Sequence, residues 1–282
     1  MFSMVKMDLY RMVRMKSMYV IMFILAIMTV VSTWALHEEA AMYDDGTQAT
    51  EQSMEMDTDT EEVIIGIEVG LDSEDMTDIT LLDTASAHMS GMVIALLCSI
   101  FVVLFCSADF TSGYIKNYAG QTRSRTQLIA SKAIVLGIYS VGIFLWYLLV
   151  QVLANEIFIG YVHMGDAKAF FSYVAIQLVL HIALSLLWLM VVLLTKSRVI
   201  GMMVAVCVCG GIFSLIYAGI DFIVRKLGIN NFSFTNYTIS GRISMLQETV
   251  SRQDGLETLL IGVVYVVLTL IIGSVAFSKK DL

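Results

Sequence analysis

Residues 170–194 read FFSYVAIQLVLHIALSLLWLMVVLL, without a single Asp, Glu, Lys or Arg. A helix needs about 20 mostly apolar residues to cross the roughly 30 Å hydrocarbon core of a bilayer, so this run predicts a transmembrane helix. The whole chain of 282 residues is 58% hydrophobic, with a mean hydropathy of +0.80. Soluble domains contain roughly 45–50% apolar residues. The composition therefore excludes a water-soluble fold.

The same criterion finds six apolar windows along the chain, including the one quoted. They cover residues 17–36, 87–106, 133–153, 170–194, 199–220 and 259–277. Each window is long enough to cross the membrane as a helix. We therefore predict an all-α polytopic membrane protein with six transmembrane helices.

The distribution of Lys and Arg predicts the orientation, because cytoplasmic loops retain basic residues. With the N-terminus inside, twelve of the 17 basic residues fall in inner segments and five in outer ones. Both termini are then cytoplasmic, and we expect the chain in a bacterial cell membrane. The net charge of −8 comes from residues 38–83, which hold 16 of the 25 acidic residues and no basic residue. Nothing in this charge pattern supports nucleic-acid binding.

Residues 1–16 have the pattern of an amphipathic helix that lies on the membrane surface. Wound at 3.6 residues per turn, the apolar side chains fall on one arc of about 100° and the charged side chains fall elsewhere. The apolar set is Phe2, Val5, Leu9, Met12 and Val13. We predict an interfacial helix on the cytoplasmic side that leads into the first span.

Two longer segments lie on the predicted outer side. Residues 37–86 form an acidic loop, which either concentrates cations by electrostatic steering or is a solvated spacer. In residues 221–256, the side chains of Ile243, Leu246 and Val250 recur at helical spacing. This spacing predicts an amphipathic helix at the outer surface.

The inner loop 107–132 is short, polar and basic. Ser124 and Gln127 have the spacing of a capping box, so a helix is predicted to begin there and to run into the third span. Residues 113–118 can form a separate short helix, and Gly120 permits a turn between the two pieces. Such an elbow presents basic side chains to a cytosolic partner. These are Lys116, Arg123 and Arg125.

Part of this loop resembles a known family. The string Asp109-Phe-Thr-Ser-Gly113-Tyr-Ile-Lys116-Asn117, followed by Ser124-Arg125 and Ser131-Lys132, is similar to the cytoplasmic loop of type-2 ATP-binding-cassette permeases. The likeness is greatest to permeases of bacterial peptide-antibiotic export and immunity systems. The amphipathic N-terminal helix, the six spans and the large first outer loop also look like that family.

The resemblance implies that the loop is a coupling helix that docks into a separate ATPase chain. The implied docking residues are Gly113, Tyr114, Ile115, Lys116, Asn117, Arg123 and Arg125. The family assembles two permease chains, identical or homologous, with two ATPase subunits that bind ATP and Mg²⁺. This chain contains no G-x-x-x-x-G-K-[ST] phosphate loop, so we expect it to be no enzyme and to bind no cofactor itself. The implied function is export of an amphipathic substrate, such as an antimicrobial peptide, a lipid-like molecule or a drug, by alternating access.

Polar residues within the spans suggest further sites. In the fourth span they recur every four residues and either line a transport path or bind neighbouring helices as structural contacts. These are Tyr173, Gln177, His181 and Ser185. Gly210 and Gly211 suggest a hinge or a close helix approach in the fifth span. Glu156, beyond the third span, is either an outer gate or a solvated interfacial residue.

The four cysteines lie in apolar runs without the spacing of a zinc site, so no metal site is expected. A second function also fits the sequence. The chain could be a membrane-anchored sensor or scaffold, in which the acidic outer loop binds a ligand and the Lys116 region recruits a cytosolic protein. The absence of a signalling domain in the sequence counts against this second function.

Overall fold

A computed structural model describes residues 2–44, 79–111, 125–229, 232–248 and 250–279. Within these ranges the regular elements are all helical, which confirms the predicted all-α class. The α-helices are α1 (Phe2–Arg14), α2 (Lys16–Asp44), α3 (Leu81–Ser90), α4 (Val93–Thr111), α5 (Arg125–Phe158), α6 (Ala167–Thr195), α7 (Arg198–Cys209), α8 (Ile212–Lys226), α9 (Ile239–Ser244) and α10 (Arg252–Lys279).

Helices α2, α4, α5, α6 and α10 are each long and apolar enough to span a membrane. Helices α7 and α8 meet the same criterion only as a pair, bent by 65°, and count as a sixth span when the pair is taken as one broken helix. The chain is therefore a polytopic membrane protein. Several helices extend well beyond the predicted apolar windows. Helix α5, for example, begins at Arg125, where the spacing of Ser124 and Gln127 predicts a helix start, and ends at Phe158, beyond the apolar window 133–153.

The second predicted span, residues 87–106, is divided into α3 and α4. Thr80 caps α3 through a reciprocal capping box with Asp83, which lies outside the apolar window. The helix stops at Gly91, and Met92 adopts a left-handed backbone with φ of 59° before α4 begins. Hydropathy alone does not detect this break, because the residues on both sides of it are apolar.

Helix α6, which contains residues 170–194, lies at the centre of the bundle. It packs against α4, α5, α7 and α10, and its side chains at Tyr173, Leu180 and Trp188 are completely buried. In contrast, α2 and α10 expose rows of large apolar side chains. Since a membrane-spanning helix needs an apolar surface toward lipid, these rows identify the lipid-facing sides of the bundle.

The connections predicted to lie outside meet at one end of the bundle. The backbone amide of Leu81 donates a hydrogen bond of 2.7 Å to the carbonyl of His163. The Gln177 amide donates to the carbonyl of Ile243 over 3.0 Å, and Ser86 donates to Glu248. Residues 232–248 therefore cover the outer ends of α3 and α6.

The predicted outer helix through Ile243, Leu246 and Val250 is wrong in its extent. The helix is α9, which begins at the Thr238 cap and ends at Ser244. Because Gln177 donates to the carbonyl of Ile243, that carbonyl is used by a tertiary contact at the helix end. Only Ile243 of the three predicted residues lies in the helix, and it is completely buried.

The break between α7 and α8 lies at Gly210 and Gly211, the two residues suggested as a hinge. A Cβ on Gly210 would lie 2.7 Å from the backbone carbonyl oxygen of Val206. Gly211 has a φ of +78°, in the left-handed region where side chains other than glycine are disfavoured. Both glycines are therefore required by the bent backbone.

We predict that Gly210→Ala and Gly211→Ala each lower the free energy of unfolding by roughly 1–2 kcal/mol. The first forces a Cβ against a backbone carbonyl, and the second forces alanine into a left-handed conformation. The matched control is Gly219→Ala on α8, where a Cβ would meet no atom within 4 Å. Unfolding of the purified protein in detergent measures all three variants, and equal behaviour of the three would contradict the prediction.

Candidate functional site

Four charged side chains meet where α1, α4 and α5 converge, at the end of the bundle that is predicted to be cytoplasmic. Asp8 and Arg11 come from α1, Asp109 from the last turn of α4, and Lys132 from the second turn of α5. Asp109 forms ion pairs with both Arg11 and Lys132. The Lys132 ammonium also lies 3.8 Å from Asp8. We call these four residues the inner charge cluster.

The inner charge cluster is almost completely removed from solvent. Asp8 and Asp109 are 1% exposed and Lys132 is 3% exposed, while the Arg11 side chain is 28% exposed. The ring of Phe105 lies beneath both cations, with its centroid 5.3 Å from the Arg11 guanidinium carbon and 4.9 Å from the Lys132 ammonium. Two positive and two negative charges balance, which offsets the large cost of burying ions.

Helix geometry explains how α1 reaches the cluster. Its buried side chains are Met4, Asp8 and Met12, which lie four residues apart and therefore on one face. Of the predicted apolar arc, Phe2 and Val13 are exposed, on the side available to lipid. Asp8 lies in the middle of this buried face, where Lys132 compensates its charge. The Ser131 hydroxyl lies 3.4 Å from the Asp8 carboxylate.

Asp8 is the less strongly held of the two carboxylates. Burial raises the pKa of Asp8 above its ordinary value of 3.8, and the attraction of Lys132 offsets only part of that rise. Its contact with Lys132 at 3.8 Å is also long for a charge-assisted hydrogen bond. Asp109, with two direct ion pairs, is therefore the centre of the cluster.

The inner charge cluster connects three helices at the two ends of residues 112–124. Helix α4 ends and helix α5 begins on either side of residues 112–124, and the cluster joins these two helices to each other and to α1. The predicted docking residues Gly113, Tyr114, Ile115, Lys116, Asn117 and Arg123 lie outside the described residues. Arg125 is the first residue of α5.

The polar face predicted in the fourth span lies entirely inside the bundle. Tyr173, Gln177, His181 and Ser185 are each at most 2% exposed. The Gln177 amide donates to the Tyr173 hydroxyl at 3.2 Å, and a His181 ring nitrogen lies 2.8 Å from the Gln177 carbonyl. The Ser185 hydroxyl lies 3.2 Å from that of Ser140 on α5. These contacts favour the structural interpretation over a transport path, because the four side chains face other helices of the same chain.

A second buried polar group, which no sequence motif above predicts, joins α2, α3 and α5 in the half of the bundle that is predicted to be outer. A ring nitrogen of His88 lies 2.5 Å from the Ser32 hydroxyl, and the other lies 3.1 Å from the Tyr147 hydroxyl. Gln151 lies one turn beyond Tyr147 on α5, and Asn155 lies two turns beyond it. The Gln151 side-chain amide donates a hydrogen bond of 2.8 Å to the side-chain oxygen of Asn155. The spacing of four residues between these three positions on α5 is a signal that could have revealed the group.

The remaining predicted positions have simpler surroundings. Glu156 is exposed near the outer end of α5, which fits a solvated interfacial carboxylate. Gly210 and Gly211 form the bend between α7 and α8. Among the described residues, no three His, Cys, Asp or Glu side chains lie close enough together to hold a metal ion.

Comparison with known proteins gives one family. A family model described as "Protein of unknown function (DUF2705)" matches residues 66–282, which include α3 to α10 and thus Asp109 and Lys132. No curated protein matches the chain.

We predict that Asp109→Asn lowers the free energy of unfolding by about 3–5 kcal/mol, because it leaves the buried Lys132 ammonium and the partly exposed Arg11 guanidinium with Asp8 as the one remaining carboxylate of the cluster. The double variant Asp109→Asn, Lys132→Met restores the balance of charge and is expected to be more stable than Asp109→Asn alone. Chemical unfolding in detergent tests both. A double variant that is as unstable as the sum of the two single variants would rule out this ion pairing.

We predict a different, pH-dependent behaviour for Asp8→Asn. Because the folded-state pKa of Asp8 is raised, its ionised form destabilises the folded state, and this penalty disappears as the pH falls below that pKa. The free energy of unfolding of the variant relative to that of the wild type is therefore expected to be highest at neutral pH and to fall as the pH is lowered toward 4. Unfolding measured between pH 4 and pH 7 checks this trend, and a difference that moves the other way would contradict it.

Proposed function

We propose that this chain, which belongs to the DUF2705 family of proteins of unknown function, is the permease subunit of an ATP-binding-cassette exporter. The observation that carries the proposal is the inner charge cluster, which joins α1, α4 and α5 on both sides of residues 112–124. A permease driven by a separate ATPase needs such a connection between its docking loop and its spans.

The connection is stiff for a physical reason. Separating Asp109 from Arg11 and Lys132 in a buried site would leave uncompensated charges and cost several kcal/mol. A load on residues 112–124 would therefore move α1, α4 and α5 together rather than bend the loop alone. Helices α4 and α5 also pack against the central α6, so the displacement would reach the middle of the bundle.

The absence of a phosphate-binding motif from the sequence supports a division of labour with a second protein. The chain lacks a phosphate-binding loop, so ATP and Mg²⁺ would bind to two partner ATPase subunits. Two permease chains, identical or homologous, would enclose the path for an amphipathic substrate in a bacterial cell membrane. With Tyr173, Gln177, His181 and Ser185 buried within one chain, that path would have to lie on another surface of α6 or between chains.

The decisive experiment is affinity purification of the tagged chain from its native membrane in a mild detergent. The test variant is Lys116→Glu, Arg123→Glu in the loop between α4 and α5. The control variant is Lys196→Glu, Arg198→Glu in the connection between α6 and α7, where both residues are exposed. Both variants change the inner charge by the same amount, so a general effect on topology would affect them equally.

We expect an ATPase of the ATP-binding-cassette type to co-purify with the wild type and the control variant and to be lost from the test variant. Retention of the ATPase by all three would keep the permease and move its docking site away from this loop. If kinases or regulators co-purify instead of any ATPase, the proposal is wrong and the chain is a membrane-anchored sensor or scaffold.

A further inference from the structure

The bend at Gly210 places α8 at a steep angle to the rest of its span. Helix α7 has 12 residues and rises about 18 Å, at 1.5 Å per residue. Helix α8 has 15 residues, about 22 Å long, but its axis turns by 65°. With α7 upright, α8 adds only about 9 Å of depth, and the pair rises about 27 Å, a few ångströms less than the roughly 30 Å hydrocarbon core. In that orientation the C-terminal end of α8 lies near the boundary between hydrocarbon and headgroups.

Two hydrogen bonds fix which side of α8 faces the bundle. The Asp221 carboxylate is buried and accepts a hydrogen bond of 2.6 Å from the backbone amide of Phe234. The Tyr217 hydroxyl lies 3.2 Å from the Ser240 hydroxyl of α9. The opposite side of the helix therefore has to face outward. Its exposed apolar side chains are Ile212, Leu215, Ile216, Phe222 and Ile223.

The end of α8 combines exposed apolar side chains with two cations. Leu227 is 76% exposed, and the neighbouring Arg225 and Lys226 are exposed as well. The Lys226 ammonium lies 4.5 Å from the centroid of the Phe222 ring. The one acidic residue between positions 212 and 229, Asp221, is buried by its contact with Phe234. This end of the helix therefore presents positive charge beside apolar surface.

We infer that α8 lies obliquely in the outer leaflet and binds anionic phospholipid headgroups through Arg225 and Lys226. The apolar row inserts between acyl chains, and the two cations reach the phosphate and the additional negative headgroup charge. Charge complementarity favours lipid over a second copy of this chain, because a two-fold contact at this end would bring like charges together. The inference does not depend on the proposed transport function.

The first test measures which lipids the full-length protein retains. Nanodiscs contain phosphatidylcholine with phosphatidylglycerol, and native mass spectrometry counts each lipid on the released protein. The test variant is Arg225→Gln, Lys226→Gln. The control is Lys168→Gln, Arg252→Gln, which removes two exposed outer cations that are not on α8. Each basic side chain near an anionic surface contributes roughly fivefold in affinity, so the test variant is expected to lose roughly tenfold or more of its retained phosphatidylglycerol.

The control variant is expected to retain phosphatidylglycerol as the wild type does. A further variant, Arg225→Lys, Lys226→Arg, keeps both positive charges and is expected to retain as much phosphatidylglycerol as the wild type. An equal loss in the test and control pairs would overturn the inference, as would no loss in either.

The second test measures the depth of α8 and does not depend on the stability of the charge variants. Single cysteines replace Ile216 on the outward row and Arg225 at the helix end, in protein reconstituted into vesicles. A membrane-impermeant maleimide is expected to label the cysteine at position 225 at least tenfold faster than that at position 216, which lies among acyl chains. Equal labelling rates would mean that α8 projects into water, and the inference would fail.

Discussion

A charge cannot be left alone in a medium that does not solvate it, and this constraint organises the inner end of the molecule. Asp109 lies in the last turn of a span, and Lys132 lies near the start of the next. Each would be costly beside hydrocarbon, and together they neutralise each other. Arg11 and Asp8 add one further charge of each sign from α1. The interfacial helix is thus fixed against α4 and α5 by electrostatic need, in addition to the packing of Met4 and Met12.

The outer end obeys the same constraint with neutral groups. His88, buried between α2 and α5, has a hydroxyl partner at each ring nitrogen. Gln177 reaches from the central helix to the carbonyl of Ile243 in the outer connection. Between the two ends the contacts are apolar and aromatic, such as the stacked rings of Phe101 and Tyr139, whose centroids are 4.2 Å apart. Polar contacts therefore define the relative positions of the helices at both surfaces, while packing fills the middle.

The distinction between local patterns and long-range contacts explains which features the sequence alone could predict. Hydropathy located the apolar windows because membrane insertion depends on composition over about 20 residues. Gly210 and Gly211 were found because a pair of glycines is a local signal. The inner charge cluster was not found, since Asp8 and Ser131 are 123 residues apart in sequence and only the fold brings them together. Asp8 therefore had the appearance of a solvated residue on the polar side of α1.

The outer helix was misplaced for a related reason. Ile243, Leu246 and Val250 have helical spacing, but a hydrogen bond from Gln177, 66 residues earlier, uses the carbonyl at the helix end. Gly241 adds a requirement of the neighbouring chain, because a Cβ there would clash with the Thr235 carbonyl oxygen. Periodicity describes which face of a helix is apolar. It does not describe where tertiary contacts end the helix.

Helix α4 connects two features of this fold, the inner charge cluster and the bent span. Its C-terminal turn carries Asp109, and its Val103 side chain packs so closely on α7 that a Cβ at Gly201 would lie only 2.9 Å away. Helix α7 is therefore bound to the same helix as the cluster. Beyond the bend, α8 leaves the bundle and is held by Asp221 and Tyr217 to the outer connection. A displacement of α4 would consequently move α7 as well. Because α8 is held separately, the angle between α7 and α8 would change at Gly210 and Gly211, where the backbone already departs from a straight helix.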